Sequence, residues 1–156
     1  MSLSTWILSK LDYMGRKRIV MDRQNNEPYL ERYYLFLKDR KKFPFNIFLH
    51  KFLQSDPGDP HDHPWPYFTL ILKGGYYEYV PIFNNDGKMI AENVIWRGPG
   101  HFRFCSSKSY HRVSLKPGIT PWTLFVPGPQ IREWGFLVNN KWIHTDDYLN
   151  NKQSFH

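Results

Sequence analysis

Turn-forming residues break this sequence every few positions, and that punctuation excludes long helices from most of its length. Gly74-Gly75, Asn84-Asn85-Asp86-Gly87, Gly98-Pro99-Gly100, Pro117-Gly118, Gly128-Pro129 and Asn139-Asn140 bound short runs rich in aromatic and β-branched residues. The pattern predicts strands over 17–21, 29–37, 45–52, 67–72, 76–83, 89–96, 101–104, 111–115, 122–126, 134–138 and 141–144. Asn139-Asn140 suits a two-residue hairpin with positive φ. One helix is predicted over 5–14, with Ser4 as N-cap and Gly15 as its stop. Many short strands with frequent turns imply an all-β sandwich or barrel such as a jelly roll.

A length of 156 residues suits one domain, and 41% hydrophobic with 18% aromatic residues suits a folded core. Residues 1–16 read as an N-terminal helical extension and 146–156 as a loose polar tail. No apolar run approaches the roughly 20 residues of a membrane-spanning helix. The N-terminal apolar patch precedes the basic cluster, the reverse of a secretory leader. Cys105 is the only cysteine, so no internal disulfide forms and a cytoplasmic setting is expected. The net charge of +7 sits largely in Arg16-Lys17-Arg18 and the run from Lys38 to Lys42. Both read as solvated faces before phosphate sites, and no nucleic-acid module is present.

The chemistry-bearing stretch is "DPGDPHDHPWPYFTLILKGGYYEY". His61 and His63, at i and i+2 on extended chain, point to the same side, and Asp62 points to the other. A metal needs a third ligand. "GHFRFCSSKSYH" offers one in His111, eleven residues after Gly100.

These two segments resemble the motifs of the cupin family, G-x5-H-x-H-x(3,4)-E-x6-G and G-x5-P-x-G-x2-H-x3-N. His61 and His63 match the histidine pair, Gly74 or Gly75 the closing glycine, and Gly100 and His111 the ends of the second motif. More narrowly, "HDHPW…GGY…HRV…PWTLFVPGP…REWGF" is similar to small bacterial and phage cupins. The sequence departs from the motif where Tyr67 or Phe68 replaces the glutamate, Ser106 the proline and Lys108 the glycine.

The resemblance implies a jelly-roll, double-stranded β-helix barrel and a metal held by His61, His63 and His111. Three histidines also serve Fe(II) in thiol dioxygenases of this superfamily, so Fe(II) is favoured over Zn(II) or Mn(II). The implied activity is oxygenase-like, on a small polar or anionic molecule. Under it, Tyr67 orients substrate or a proton and Arg103 binds an anion. Isomerase or hydrolase chemistry uses the same ligands, and a non-catalytic ligand-binding module is the alternative. A homodimer is implied by resemblance alone.

Other residues have blander expectations. Asp56 or Asp59 is a substitute carboxylate for the site. His101 reads as an exposed strand end, His50 as a core or lining residue bonded to a neighbour, and His144 and His156 as peripheral. Arg112 should face away from the site, and Arg132 should pair with Glu133 or a loop. Trp65 and Tyr67 would wall a pocket, Phe68 would fill the absent glutamate's space, and Cys105 is a buried thiol.

Overall fold

A computed structural model describes residues 2–22, 25–40 and 42–150. Helix α1 spans Leu3–Tyr13, two residues earlier than expected, because Ser2 is the cap and its hydroxyl accepts from the Thr5 amide at 3.2 Å. Gly15 ends it at φ 65°. No residue of α1 is buried, so the helix lies on the outside of the fold. None of the described helices is long and apolar enough to cross a membrane.

Eleven strands follow among the described residues: β1 Lys17–Met21, β2 Pro28–Tyr34, β3 Phe48–Phe52, β4 Tyr67–Lys73, β5 Tyr76–Phe83, β6 Met89–Arg97, β7 Phe102–Cys105, β8 Arg112–Leu115, β9 Trp122–Pro127, β10 Gly135–Val138 and β11 Lys141–His144. One antiparallel sheet runs β1-β2-β3-β9-β4-β7, and the other begins as β6-β5-β8. Residue 61 extends that second sheet. It bridges His111, just before β8, and Phe136 of β10, whose hairpin partner is β11. Two facing sheets joined in this order form the jelly-roll barrel, and the core of Ile71, Tyr76 and Val113 lies between them.

The expected strands 29–37 and 45–52 are cut short. Asn46, 1% exposed, bonds both the amide and the carbonyl of Leu37 at 3.1 and 2.9 Å, which closes the chain between into a loop. Arg40, from the basic run, is tied into this loop's contacts and donates to the carbonyls of Pro127 and Gly128 at 3.1 and 2.8 Å. Asn139 and Asn140 take φ 48° and 63°, as the hairpin requires. Gly75 is obligatory: at φ 135°, an added Cβ would lie 2.6 Å from the Arg97 carbonyl oxygen.

The loose tail is the main departure. Residues Thr145–Asn150 form helix α2, with Asp146 and Asp147 in its first turn. Tyr148 is fully buried, stacks on Phe136 at 3.9 Å and donates to Asp59 at 2.8 Å. Tyr148, with Leu149 packed against the same cluster, carries the docking from an otherwise polar hexapeptide, so hydropathy along the chain hid it. Residues 151–156, with His156, lie outside the described residues.

Candidate metal centre

Backbone pairing builds the site before any side chain is considered. The amide of His61 donates to the His111 carbonyl at 2.9 Å, and the amide of His111 returns the bond at 3.0 Å. His63 donates its amide to Ser107 at 3.2 Å. The two histidine segments are thus neighbouring threads of one sheet, and period-two alternation turns His61 and His63 inward together. Asp62 takes the opposite side as expected. It is fully buried and accepts from the Gly135 amide at 2.8 Å, the Trp142 indole at 3.0 Å and the Arg132 guanidinium. Arg132 therefore serves Asp62 and the Ser107 carbonyl, and Glu133 contacts His144 instead.

One ring nitrogen from each of His61, His63 and His111 lies within 4.8 Å of the other two. The Nε2 atoms of His63 and His111 are 2.9 Å apart. Burial, reinforced by His111 and then His61, drives the His63 pKa well below its ordinary value. A neutral imidazole keeps the lone pair a cation needs, so the donor set fits a divalent metal. The substitute carboxylates do not complete it. Asp56 stands behind His61, its Oδ2 4.0 Å from Nδ1, and accepts from the Val113 amide at 2.6 Å and the Tyr29 hydroxyl. Asp59 is turned to Tyr148.

The functional residue that sequence reasoning missed is Glu78 of β5. Its Oε1 meets His111 Nδ1 at 2.9 Å, while Oε2 accepts from Arg97 at 2.7 Å and from Arg103. Burial pushes the carboxyl upward, but the His111 hydrogen bond and the charges of His111 and Arg103 prevail and hold it at about 2. This carboxylate fixes the His111 ring with Nε2 toward the other histidines. A signal was present: in "YYEYVPIF", Glu78 alternates with Tyr76 onto the inner face.

Arg103, expected to hold a ligand anion, is committed to Glu78. Tyr67 does face the site: its ring is 4.6 Å from that of His63 and stacked 5.0 Å from Phe125. Burial above all, with Cys105 opposite it across the β4–β7 register, raises its phenol well above the ordinary value, so it stays protonated. Tyr67 is buried and faces inward. Phe68 faces outward against Phe104 and Phe102. His101 is not a free strand end, since Arg97 bonds its Nε2 at 3.0 Å. Arg112 faces away, on Glu92 at 3.3 Å. Cys105 is a buried free thiol.

A cavity of about 350 Å³ opens from the three histidines and is lined by Trp65, Tyr67, Phe125, Trp134 and Phe136 among others. That is within the range of roughly 300–1,000 Å³ seen for small-molecule sites. His50, 4% exposed, lies on its wall and accepts from Arg32 Nε at 2.9 Å. Burial first, then the Arg32 charge, depresses the His50 pKa well below its ordinary value of about 6.5. The folded chain refuses a proton that the unfolded chain accepts, so stability is full above pH 6.5 and falls below it. Urea unfolding of the metal-free protein between pH 6.5 and 5 should show losses approaching roughly 1.4 kcal/mol per pH unit from this residue. His50→Gln should make the profile less steep, the remaining slope coming from His63.

No protein-family model matches the chain, and no curated protein matches it. Solved structures do match in fold. The polyketide cyclase RemF of Streptomyces resistomycificus aligns over 89% of both chains, at TM-score 0.59 and 18% identity. Fe(II)-HppE with the alternative substrate (S)-1-HPP aligns at TM-score 0.53 and 14% identity, over 72% of this chain and 56% of that one. Hydroxypropylphosphonic acid epoxidase from S. wedmorenis aligns at TM-score 0.51 with the same identity and coverage. The chain has a cupin-type fold. It spans just over half the length of the HppE and epoxidase chains. The three histidines line the barrel cavity.

Proposed function

We propose that this protein is a mononuclear metal enzyme in which His61, His63 and His111 hold one divalent ion, Fe(II) in preference to Zn(II) or Mn(II). The convergence of three ring nitrogens within 4.8 Å, on the wall of a ligand-sized cavity, carries this reading. The Fe(II) of the HppE neighbour and the small-molecule chemistry of both neighbours support it. Three imidazole ligands would leave positions open on an ion, which when bound supplies Lewis acidity and, for iron, dioxygen chemistry.

The chain's own residues do the rest. Glu78 orients His111. Arg103 keeps Glu78 ionised, so it is a positioning residue that acts through His111. Tyr67, a protonated phenol beside His63, donates a hydrogen bond to a bound substrate. The aromatic walls exclude water from a small polar or anionic molecule. A cytoplasmic location accords with the buried free thiol of Cys105. A homodimer would find a sheet edge at β7, which displays Phe102 and Phe104, 60% and 81% exposed.

The absent carboxylate at Tyr67 favours the second reading, a binding module without chemistry. Anaerobic loading with Fe(II), desalting and elemental analysis should leave close to one iron per chain. Retention of less than a tenth overturns metal binding. One iron with no dioxygen uptake across a panel of organic acids assigns the module instead.

A further inference from the structure

The inner face of the six-stranded sheet carries a row of polar side chains, and Asp22, Asp56 and Glu78 line the same cavity. Strand register sets Arg18 opposite Arg32, Arg32 opposite His50 and His50 opposite Thr123. All four line the cavity that holds the three histidines. The rows on either side place Val20, Leu30 and Phe52 on one flank and Phe125 on the other.

Arg32 is half-buried, with its guanidinium 4.5 Å from the centre of the Phe48 ring. Its Nε is spent on His50, a neutral partner, and the Tyr34 and Tyr29 phenols are further polar neighbours. Arg18 stands exposed at the cavity rim. Every ion pair among the described residues involves other cations, namely Lys17, Lys51, Arg97, Arg103, Arg112, Arg132 and three histidines. Two guanidinium groups facing one another across strands, one of them withdrawn from water, repel unless an anion joins them. A fork of N–H donors matches an oxyanion.

We infer that the cavity binds an aromatic oxyacid, its anionic head on Arg32 and Arg18 and its far end toward His61, His63 and His111. This deepens the proposed function and rests on it for what happens at the far end. Scale follows from the wall. The His50 ring lies 5.2 Å from Phe125, and Phe125 lies 6.5 Å from His63. A ligand reaching from the arginine to the histidines is therefore about two fused rings long, and an acid the size of a single amino acid touches one end only. Phe52, Tyr76, Phe125 and Phe136 on the lining offer faces and edges for such rings.

The test uses the full, metal-free chain and three probes: naphthoate, the neutral naphthamide and naphthylphosphonate, with binding read by calorimetry. Naphthoate should bind at least about tenfold more tightly than naphthamide. Arg32→Gln should remove that advantage and leave naphthamide unchanged, and Arg18→Gln should cost the acid a smaller factor. Arg32→Lys should restore part of it. Tighter binding of the phosphonate names phosphate-type acids as the class, and tighter binding of naphthoate names carboxylic acids. Equal affinity for acid and amide overturns the inference, and that comparison needs no variant to fold. Acid preference without iron retention sinks the metal reading alone, whereas iron retention without acid preference sinks this inference alone.

Discussion

Truncation of His111 to alanine is expected to strip the protein of metal while leaving it folded. Structural four-ligand zinc sites bind with apparent free energies of about 10–16 kcal/mol, so one ligand accounts for roughly 3 kcal/mol, a factor above a hundred. With three protein ligands, the loss leaves a pair that ordinary desalting should empty. The backbone bonds between residues 61 and 111 do not involve the imidazole, so the sheet should survive. Elemental analysis of His111→Ala should find less than a tenth of the wild-type metal, with unchanged far-ultraviolet dichroism. His101→Ala is the control, because His101 contacts Arg97 and is not one of the three converging histidines. Full metal retention in His111→Ala would show that the three histidines are not the site.

The second large effect belongs to Glu78. Its side chain is 2% exposed and faces two guanidinium groups and an imidazole. Glu78→Leu leaves those donors buried around an apolar group, and breaking a buried pair in this way typically costs about 3–5 kcal/mol. For a chain of this size, each kcal/mol lowers Tm by roughly 2–4 °C, so a fall of about 10 °C is expected in calorimetry. Glu78→Gln keeps the shape and removes the charge. Metal affinity should then drop about 10–100-fold, the usual result of weakening a carboxylate behind a ligating histidine. A Tm within about 2 °C of wild type in Glu78→Leu would mean that the arginines find water or other partners, and the orienting role would fail with it.

These two residues also mark where linear reading succeeded and where it stopped. His111 was legible because it is a metal-ligand residue type at a motif spacing. Glu78 was legible only in half: strand alternation puts it inside with Tyr76, but nothing near it in sequence names its partners. Arg97, Arg103 and His111 reach it from β6, β7 and the start of β8, between 19 and 33 residues away. Arg103, read in the sequence as an anion holder, pairs with a side chain of the protein, Glu78. The same limit hid the Arg18–Arg32–His50–Thr123 row, which exists only once four strands are in register. Tyr148 escaped because one ring in a polar hexapeptide has no periodicity to detect.

Local rules determined a great deal here. Turn residues with positive φ, period-two alternation and the paired histidines specified a strand-rich barrel and the side of the chain on which His61 and His63 lie. Pairing across the sheets decided which charges meet, which carboxylate backs which histidine, and which arginines line the cavity. The reason is range: backbone preference and side-chain alternation act over two to four residues, whereas the charge partners of a buried group are set by strand register, which joins positions far apart in the chain.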